Sequence, residues 1–181
     1  MEFVEIYDTH FQKVRSFIVG MTGDNWAADD LAQETFIRVR KNLKDLRDRT
    51  KLRPWIFQIA RNICRDYFRK NGKKKLITAS PAHDPVGPPV QIQMEQQQMS
   101  SCVQDKIQLL PETLRAVLVL ADLTGLSSQE IADALGIKNG NVKVRLHRAR
   151  NAMKDILKRE CTFEHDERNV MVCLPKTVTA T

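Results

Sequence analysis

The stretch from Ser127 to Leu157 leaves this chain few ways to fold. Glu130 follows Ser127 by three residues, so the serine hydroxyl can accept the Glu130 amide while the carboxylate reaches back to the serine N–H. That is a capping box, and it marks a helix start. Ile131, Ala132 and Leu135 then share one face of a short helix, and Gly136 supplies the left-handed residue that ends it. A second helix begins near Asn141. Its apolar residues Val142, Leu146, Ala149, Met153 and Ile156 recur at spacings of 4, 3, 4 and 3, which is one buried stripe. Two helices joined by a short glycine turn form a helix-turn-helix, whose second helix enters the DNA major groove.

Away from its stripe the second helix carries Lys143, Arg145, His147, Arg148, Arg150 and Lys154. Between Lys138 and Arg159 there are eight Lys or Arg and one acid, Asp155. A merely solvated face mixes signs and uses i, i+4 acid–base pairs. This one does not, so it reads as a DNA contact. Residues 36–75 form a second basic block, fifteen Lys or Arg against Asp45, Asp48 and Asp66. The whole chain is only +7, so the remainder is acidic and the positive charge is confined to two blocks. Two such blocks suggest two contacts with one polyanion. A membrane surface would be the rival, but neither block has a broad apolar face free for lipid.

Other classes find little support. Met1 to Gly20 carries acids and lacks the apolar run of a signal peptide, and Ala116 to Ala121 is too short to span a bilayer. The four cysteines, at 64, 102, 161 and 173, are scattered, and the cytoplasm is the expected compartment. The sequence has no phosphate-binding glycine loop, no HExxH and no Ser/His/Asp set in a known context, and His10, His83, His147 and His165 are dispersed. Neither an enzyme nor a cofactor is expected.

Taken in order, the periodicity predicts a helix over Phe3 to Met21 and a second, capped by Asp24 or Asn25, over Trp26 to Leu43. A third, LRPWIFQIARNICRDYFRK, is expected to start behind a Thr50 cap and to bury Trp55, Ile56, Ile59, Ala60, Ile63 and Tyr67. Proline- and glutamine-rich sequence then reads as a flexible linker over 72–101. Helices resume near Cys102, with Pro111 opening one that runs to Gly125 and meets the helix-turn-helix. The fold class is therefore all-α: a three-helix domain over 1–71, the linker, a four-helix domain over 102–160, and a C-terminal tail over 161–181.

These residues carry a resemblance. AADDLAQETFIRVRKNL followed by KLRPWIFQIARNICRDYFRK resembles region 2 of the sigma-70 family of bacterial initiation factors. LPETLRAVLVLADLTGLSSQEIADALGIKNGNVKVRLHRARNAM resembles region 4, and the ordered pair resembles the extracytoplasmic-function group. The resemblance implies a factor that binds core RNA polymerase, recognises a promoter and helps melt it, with no chemistry of its own. Asp30, Gln33 and Glu34, with Asp29 beside them, match the acidic motif that docks on the clamp helices of the largest polymerase subunit. Acids early and bases late on that helix also suit its dipole. Arg53, Trp55, Arg61, Asn62 and Asp66 match the helix that engages the −10 element, and Arg49, Lys51 and Arg65 complete the expected set. The phase of Trp55 favours core packing as well as base contact. Asn141, Lys143, Val144, Arg145, His147 and Arg148 match the −35 reader. The family often has a hydroxylic residue at 138 and a threonine at 141, so Asn139 or Asn141 is the expected cap here. Further partners implied are the flap of the second-largest subunit and an anti-sigma protein. Direct membrane insertion is not implied.

The competing reading is a stand-alone helix-turn-helix regulator, which would normally dimerise on palindromic sites. Beyond the resemblance lies CTFEHDERNVMVCLPK, which alternates like a small hairpin. A turn centred on Glu167 would pair residue 161 with 173 and 165 with 169, bringing Cys161, His165 and Cys173 together as a candidate metal or redox cluster, with Cys102 a fourth ligand. The spacing matches no common zinc motif, and two unremarkable thiols are the plainer reading.

Overall fold

Local hydrogen bonds supplied by the sequence fix the starts of the first two helices. In the computed structural model, which describes residues 2–71, 102–165 and 171–175, α1 (Phe3–Thr22) opens with the Glu5 carboxylate accepting the Glu2 N–H at 2.9 Å. It closes at Gly23, φ 72°. The Asp24 carboxylate then accepts the N–H groups of Trp26 and Ala27, each at 3.0 Å, and starts α2 (Asn25–Asn42). Two 3-10 turns, Leu43–Asp45 and Arg49–Lys51, lead into α3 (Leu52–Lys70).

Thr50 does not cap α3. Asp48 accepts both the Thr50 N–H (2.9 Å) and its hydroxyl (2.6 Å), so the threonine is held inside the preceding turn. A carboxylate two residues upstream is the stronger local acceptor. The core face of α3 is also turned from the one expected. Ile56, Ala60 and Ile63 are buried as predicted, but Phe57 and Cys64 join them, while Trp55, Ile59 and Tyr67 are only half-buried. The Tyr67 hydroxyl donates to Asp24 at 2.9 Å, which keeps its polar end at the edge. The rotation arises because α3 packs on α1 and α2 and also on a later helix, α6 (Ser128–Leu135), so its buried face is wider than one stripe.

The second group comprises α4 (residues 102–108), α5 (Glu112–Leu118), α6 (Ser128–Leu135) and α7 (Asn139–Glu160). The helix expected to run to Gly125 widens into a π-turn over Val119–Leu123. The Ser127–Glu130 capping box is present, and Gly136 sits at φ 66° as predicted. The α7 helix begins at Asn139, ahead of the expected Asn141, and neither asparagine caps it. The Lys138 carbonyl already accepts the N–H groups of Asn141 and Val142, and the Asn139 side chain donates instead to Gln129 at 3.0 Å.

The two groups share one continuous buried cluster, running from Ile6 and Phe17 through Ile56 to Val119, Leu120 and Val142. Carbonyls in the last turn of α1, where the intrahelical ladder runs out, accept donors from the second group, and Val19 O also accepts the Gly23 N–H at 2.8 Å. Gln104 donates to Val19 O (2.6 Å), Gln108 to Gly20 O (2.9 Å) and Arg115 to Met21 O (2.8 Å). Arg115 also donates to Gln108 and to Leu110 O. The 72–101 segment expected as a linker lies outside the described residues.

After α7 the strands β1 (Cys161–His165) and β2 (Met171–Pro175) pair antiparallel. The hairpin is as predicted but its register is not. Cys161 pairs with Pro175, Phe163 with Cys173 and His165 with Met171, so the pairing is centred on residue 168 and the two cysteines are not opposite one another. The innermost pair is His165 with Met171, two residues further apart than a register centred on Glu167 requires. No helix among the described residues is long and apolar enough to cross a membrane.

Candidate nucleic-acid and polymerase interfaces

Three surfaces carry the residues singled out by sequence. The first is the outer face of α2. Asp30 and Gln33 are exposed there, whereas Asp29 pairs with Arg15 of α1 at 2.6 Å and Glu34 pairs with Arg38 one turn on. Asp30 and Gln33 lie on one stripe with two residues that sequence reasoning missed, Trp26 (69% exposed) and Ile37 (67% exposed). The four fall at i, i+4, i+7 and i+11 and make a continuous edge. Their signal was legible in principle. The buried stripe of α2 is Ala28, Ala32, Thr35, Phe36 and Val39, and Trp26 and Ile37 are large apolar residues out of phase with it. A stripe with an exposed Trp and Ile around a carboxylate and an amide fits a partner protein better than water.

The second surface is the α3 face with the turn before it. Arg49, Asn62 and Arg65 are exposed, and Arg53, Trp55, Arg61 and Asp66 are half-buried. Asp66 is tied into an acid–base chain, 3.1 Å from Arg69 and 3.8 Å from Arg38, and that chain links α3 to α2. Three of the cations are engaged by the second helical group. Lys51 pairs with Asp133, Arg53 reaches Glu130 at 3.3 Å and Thr124 O at 2.6 Å, and Arg61 reaches Leu135 O at 3.5 Å. The Lys51 hydrogen bond holds the Asp133 carboxyl below its ordinary range, and Asp133 raises Lys51. Burial works against the Glu130 carboxylate, yet the Ser127 bonds and the Arg53 charge keep its pKa low. Burial lowers Arg61, reinforced by Arg65, opposed by the Glu112 carboxylate and lowered a little further by Arg145 of α7, and the Arg61 Nε is buried without a hydrogen-bond partner. His10 of α1, another residue missed from sequence, is held below its usual pKa by burial and then by the charges of Arg53 and Lys13.

The third surface is α7. Asn141, Lys143, Val144, His147 and Arg148 are exposed and Arg145 is half-buried, so the expected −35 set lies together on one helix. Val144, 51% exposed, offers a bare apolar contact between Lys143 and Arg148. Arg150, on the polar side of the same helix but outside that set, pairs with Asp122 at 2.6 Å. Asn151 lies 3.0 Å from His147 Nε2 and fixes the ring. Behind α7, Val103, Ile107, Leu118, Met153, Leu157 and Phe163 line an apolar groove of about 540 Å³.

The cysteines are not grouped as metal ligands in the described part. Burial pushes the Cys64 thiol up to about 12, Cys161 is buried at the end of α7, and no group of three His, Cys, Asp or Glu able to hold a metal occurs among the described residues. The side chains of His165 and Cys173 lie outside the described residues.

Comparison with known proteins gives a consistent picture. Residues 6–74 match Sigma-70 region 2 and residues 100–153 match Sigma-70, region 4. The RNA polymerase sigma factor SigZ of Bacillus subtilis is 30% identical over 92% of this chain and 93% of its own. The ECF RNA polymerase sigma factor SigM of the same organism is 33% identical over 86% of this chain and 94% of its own. In fold, the chain is similar to the sigma factor RpoE of Bartonella quintana, solved in complex with the anti-sigma factor NepR. The TM-score is 0.69 at 22% identity, covering 86% of this chain and 96% of that one.

Proposed function

This chain belongs to the sigma-70 family and is an RNA polymerase sigma factor, and from that premise we propose how its surfaces divide the work. The family consists of initiation factors that lend specificity to a polymerase and carry no enzymatic step themselves. The α2 stripe of Trp26, Asp30, Gln33 and Ile37 binds the clamp helices of the largest polymerase subunit, with Asp29 and Glu34 behind it set by Arg15 and Arg38. A central apolar anchor beside a carboxylate is the composition of an interface hot spot. The exposure of Trp26 and Ile37 beside Asp30 is the observation that carries this assignment.

The −10 element falls to Arg49, Lys51, Arg53, Trp55, Arg61, Asn62 and Arg65, which supply backbone cations, donors and an aromatic edge for strand separation. Asp66 keeps Arg38 and Arg69 in position rather than facing DNA. The −35 element falls to Asn141, Lys143, Val144, Arg145, His147 and Arg148. Lysine and arginine suit guanine edges and phosphates, and Val144 suits a thymine methyl. The apolar groove behind α7 suits an amphipathic helix such as the flap of the second-largest subunit would present. Residues 1–71 and 102–160 are then the two working domains joined through 72–101, and the cytoplasm is their compartment because polymerase and promoter are there. Control by an anti-sigma protein follows from the resemblance, and RpoE, similar in fold, was solved with one.

The test is assembly with purified core polymerase. Asp30→Lys and Trp26→Ala each weaken binding to core at least tenfold and leave the helical signal of the free chain unchanged. Undiminished affinity in both variants contradicts the α2 assignment.

A further inference from the structure

We propose that Cys102 and Cys161 form an oxidation site in the second helical group: a hydroperoxide oxidises Cys102, Cys161 resolves the product, and the resulting disulfide ties α4 to the end of α7. The inference does not depend on which surfaces meet polymerase or promoter.

The fold brings these two residues to one place from distant points in the chain. Lys106 of α4 pairs with Glu160, the last residue of α7, and each cysteine sits beside one member of that pair. Cys102 lies one helical turn before Lys106 on the same face of α4. A long helical side chain leans back over the preceding turn, which here carries Cys102. Cys161 directly follows Glu160 as the first extended residue after the helix, and it is 3% exposed. Both thiols act on the Lys106 charge. Its pKa is raised by the Glu160 hydrogen bond, against burial, and then through space by Glu160, Cys102 and Cys161. The packing around the pair agrees with this placement. Val103, next to Cys102, and Phe163, two residues past Cys161, line the same apolar groove with Ile107 and Leu157. The hairpin register sets Cys173 opposite Phe163 and Cys161 opposite Pro175, so Cys161 is not placed directly across from Cys173.

Exposure divides the chemistry between the two thiols. Cys102 is half-buried, so a peroxide can reach it, and the Lys106 ammonium beside it favours the thiolate, which is the reactive form. The thiolate attacks one peroxide oxygen and the O–O bond breaks, giving a sulfenic acid and a hydroxide that takes up the thiol proton as water. Cys161 then gives up its proton and attacks the sulfenic sulfur. The S–S bond forms, the S–O bond breaks, and the departing hydroxide collects that proton as a second water. Two electrons pass from the two sulfurs to one peroxide. Cys64 is the contrast within the same chain: it is buried in the first group, burial pushes its thiol up to about 12, and it stays inert. Joining residues 102 and 161 closes a loop that contains α5, α6 and all of α7. Such a link restricts the unfolded chain and so stabilises the folded helical group. It also fastens α4 and α7, the two walls of the apolar groove, at one end.

The experiment treats the full, reduced chain with hydrogen peroxide and maps its tryptic peptides without reductant, each cysteine falling on a separate peptide. A Cys102–Cys161 peptide pair, lighter by two hydrogen atoms than its reduced halves, should form in the parent. It should persist in Cys173→Ser and disappear in both Cys102→Ser and Cys161→Ser. In Cys161→Ser the resolving thiol is gone, so dimedone should trap the sulfenic acid on Cys102. The oxidised parent should unfold at a higher urea concentration than the reduced one, a shift that dithiothreitol reverses and that Cys102→Ser lacks. Absence of the pair from the oxidised parent, or Cys161 joined to Cys173 instead, overturns the proposal. A sulfenic acid trapped on Cys64 rather than Cys102 overturns the order of steps. A pair that forms without moving the urea midpoint overturns the tie between α4 and α7.

Discussion

Replacing Gly20 by alanine distinguishes a chain whose helical groups are packed from one in which they are apart, because the substitution has opposite signs in the two cases. Gly20 lies in the last turns of α1, where alanine is favoured by about 1 kcal/mol on helix propensity alone. That gain applies whether or not the second group is present. A Cβ on Gly20 would lie 2.7 and 2.9 Å from the two Val119 methyl carbons and 3.3 Å from Leu123 Cδ1. Val119 is fully buried, and its branched side chain has one strongly preferred rotamer in a helix, so the overlap cannot be relieved by a simple swing. Overpacking of this kind costs about 1–3 kcal/mol, and the cost exists only in the closed arrangement. The ratio of open to closed molecules should thus rise about 5- to 150-fold, while global stability changes little, since the propensity gain offsets part of the loss. Small-angle scattering and a carbodiimide cross-link between Lys51 and Asp133, which pair across the two groups, would both read the opening, as a larger radius of gyration and a lower cross-link yield. A variant with unchanged dimensions, unchanged cross-linking and a higher melting temperature would show only the propensity term. It would refute the packing of α1 against the π-turn.

Three further outcomes follow from individual side chains. Arg148→Ala and Lys143→Ala should each weaken use of a −35-dependent promoter about tenfold, lower the slope of affinity against salt by about one ion, and leave core binding intact in a pull-down. Acidification should loosen the fold through His10: its folded pKa lies below the ordinary 6.5, so the unfolded chain binds the extra proton first and stability falls as pH drops from above 6.5 toward the folded value. A His10→Gln variant should show a flatter melting profile over that pH range, and an identical profile would exclude His10 as the cause. Ser127→Ala removes the hydroxyl that accepts the Glu130 amide and should cost about 1 kcal/mol in urea titration, lowering the midpoint without changing the slope.

The helix-turn-helix was legible because its signals are local and redundant. The Ser127–Glu130 box, the Gly136 turn and the Val142, Ala149, Ile156 stripe lie within a few residues of one another, and each fixes the next. Errors arose where two local partners competed or where the deciding contact was distant. Thr50 looked like a cap until Asp48 was placed two residues before it. Phe57 looked off-stripe although its ring packs edge-on against Phe17 of α1, 5.6 Å between centroids, and α3 meets a further helix, α6, only some seventy residues downstream. The hairpin was visible in its alternation, but alternation does not encode where the register is centred. The packing of the two groups was the least legible feature of all. Gln104, Gln108 and Arg115 have the composition of solvated helix positions, and only the fold reveals that they donate to carbonyls in the last turn of α1. The residues proposed for the three surfaces came largely from resemblance and from charge, whereas Trp26 and Ile37 required knowing which α2 face is buried.

The central claim is that this chain directs a polymerase to promoters through two separate DNA-reading surfaces. The direct measurement is run-off transcription with purified core polymerase over a set of upstream regions from the source genome, with the chain present, absent, or carrying Asp30→Lys. The account predicts discrete transcripts that need both core and chain, start about one −10 spacing downstream of a shared sequence pair, and vanish with Asp30→Lys. Transcripts of equal yield without the chain, or tight sequence-specific DNA binding by the chain alone that polymerase does not alter, would contradict it.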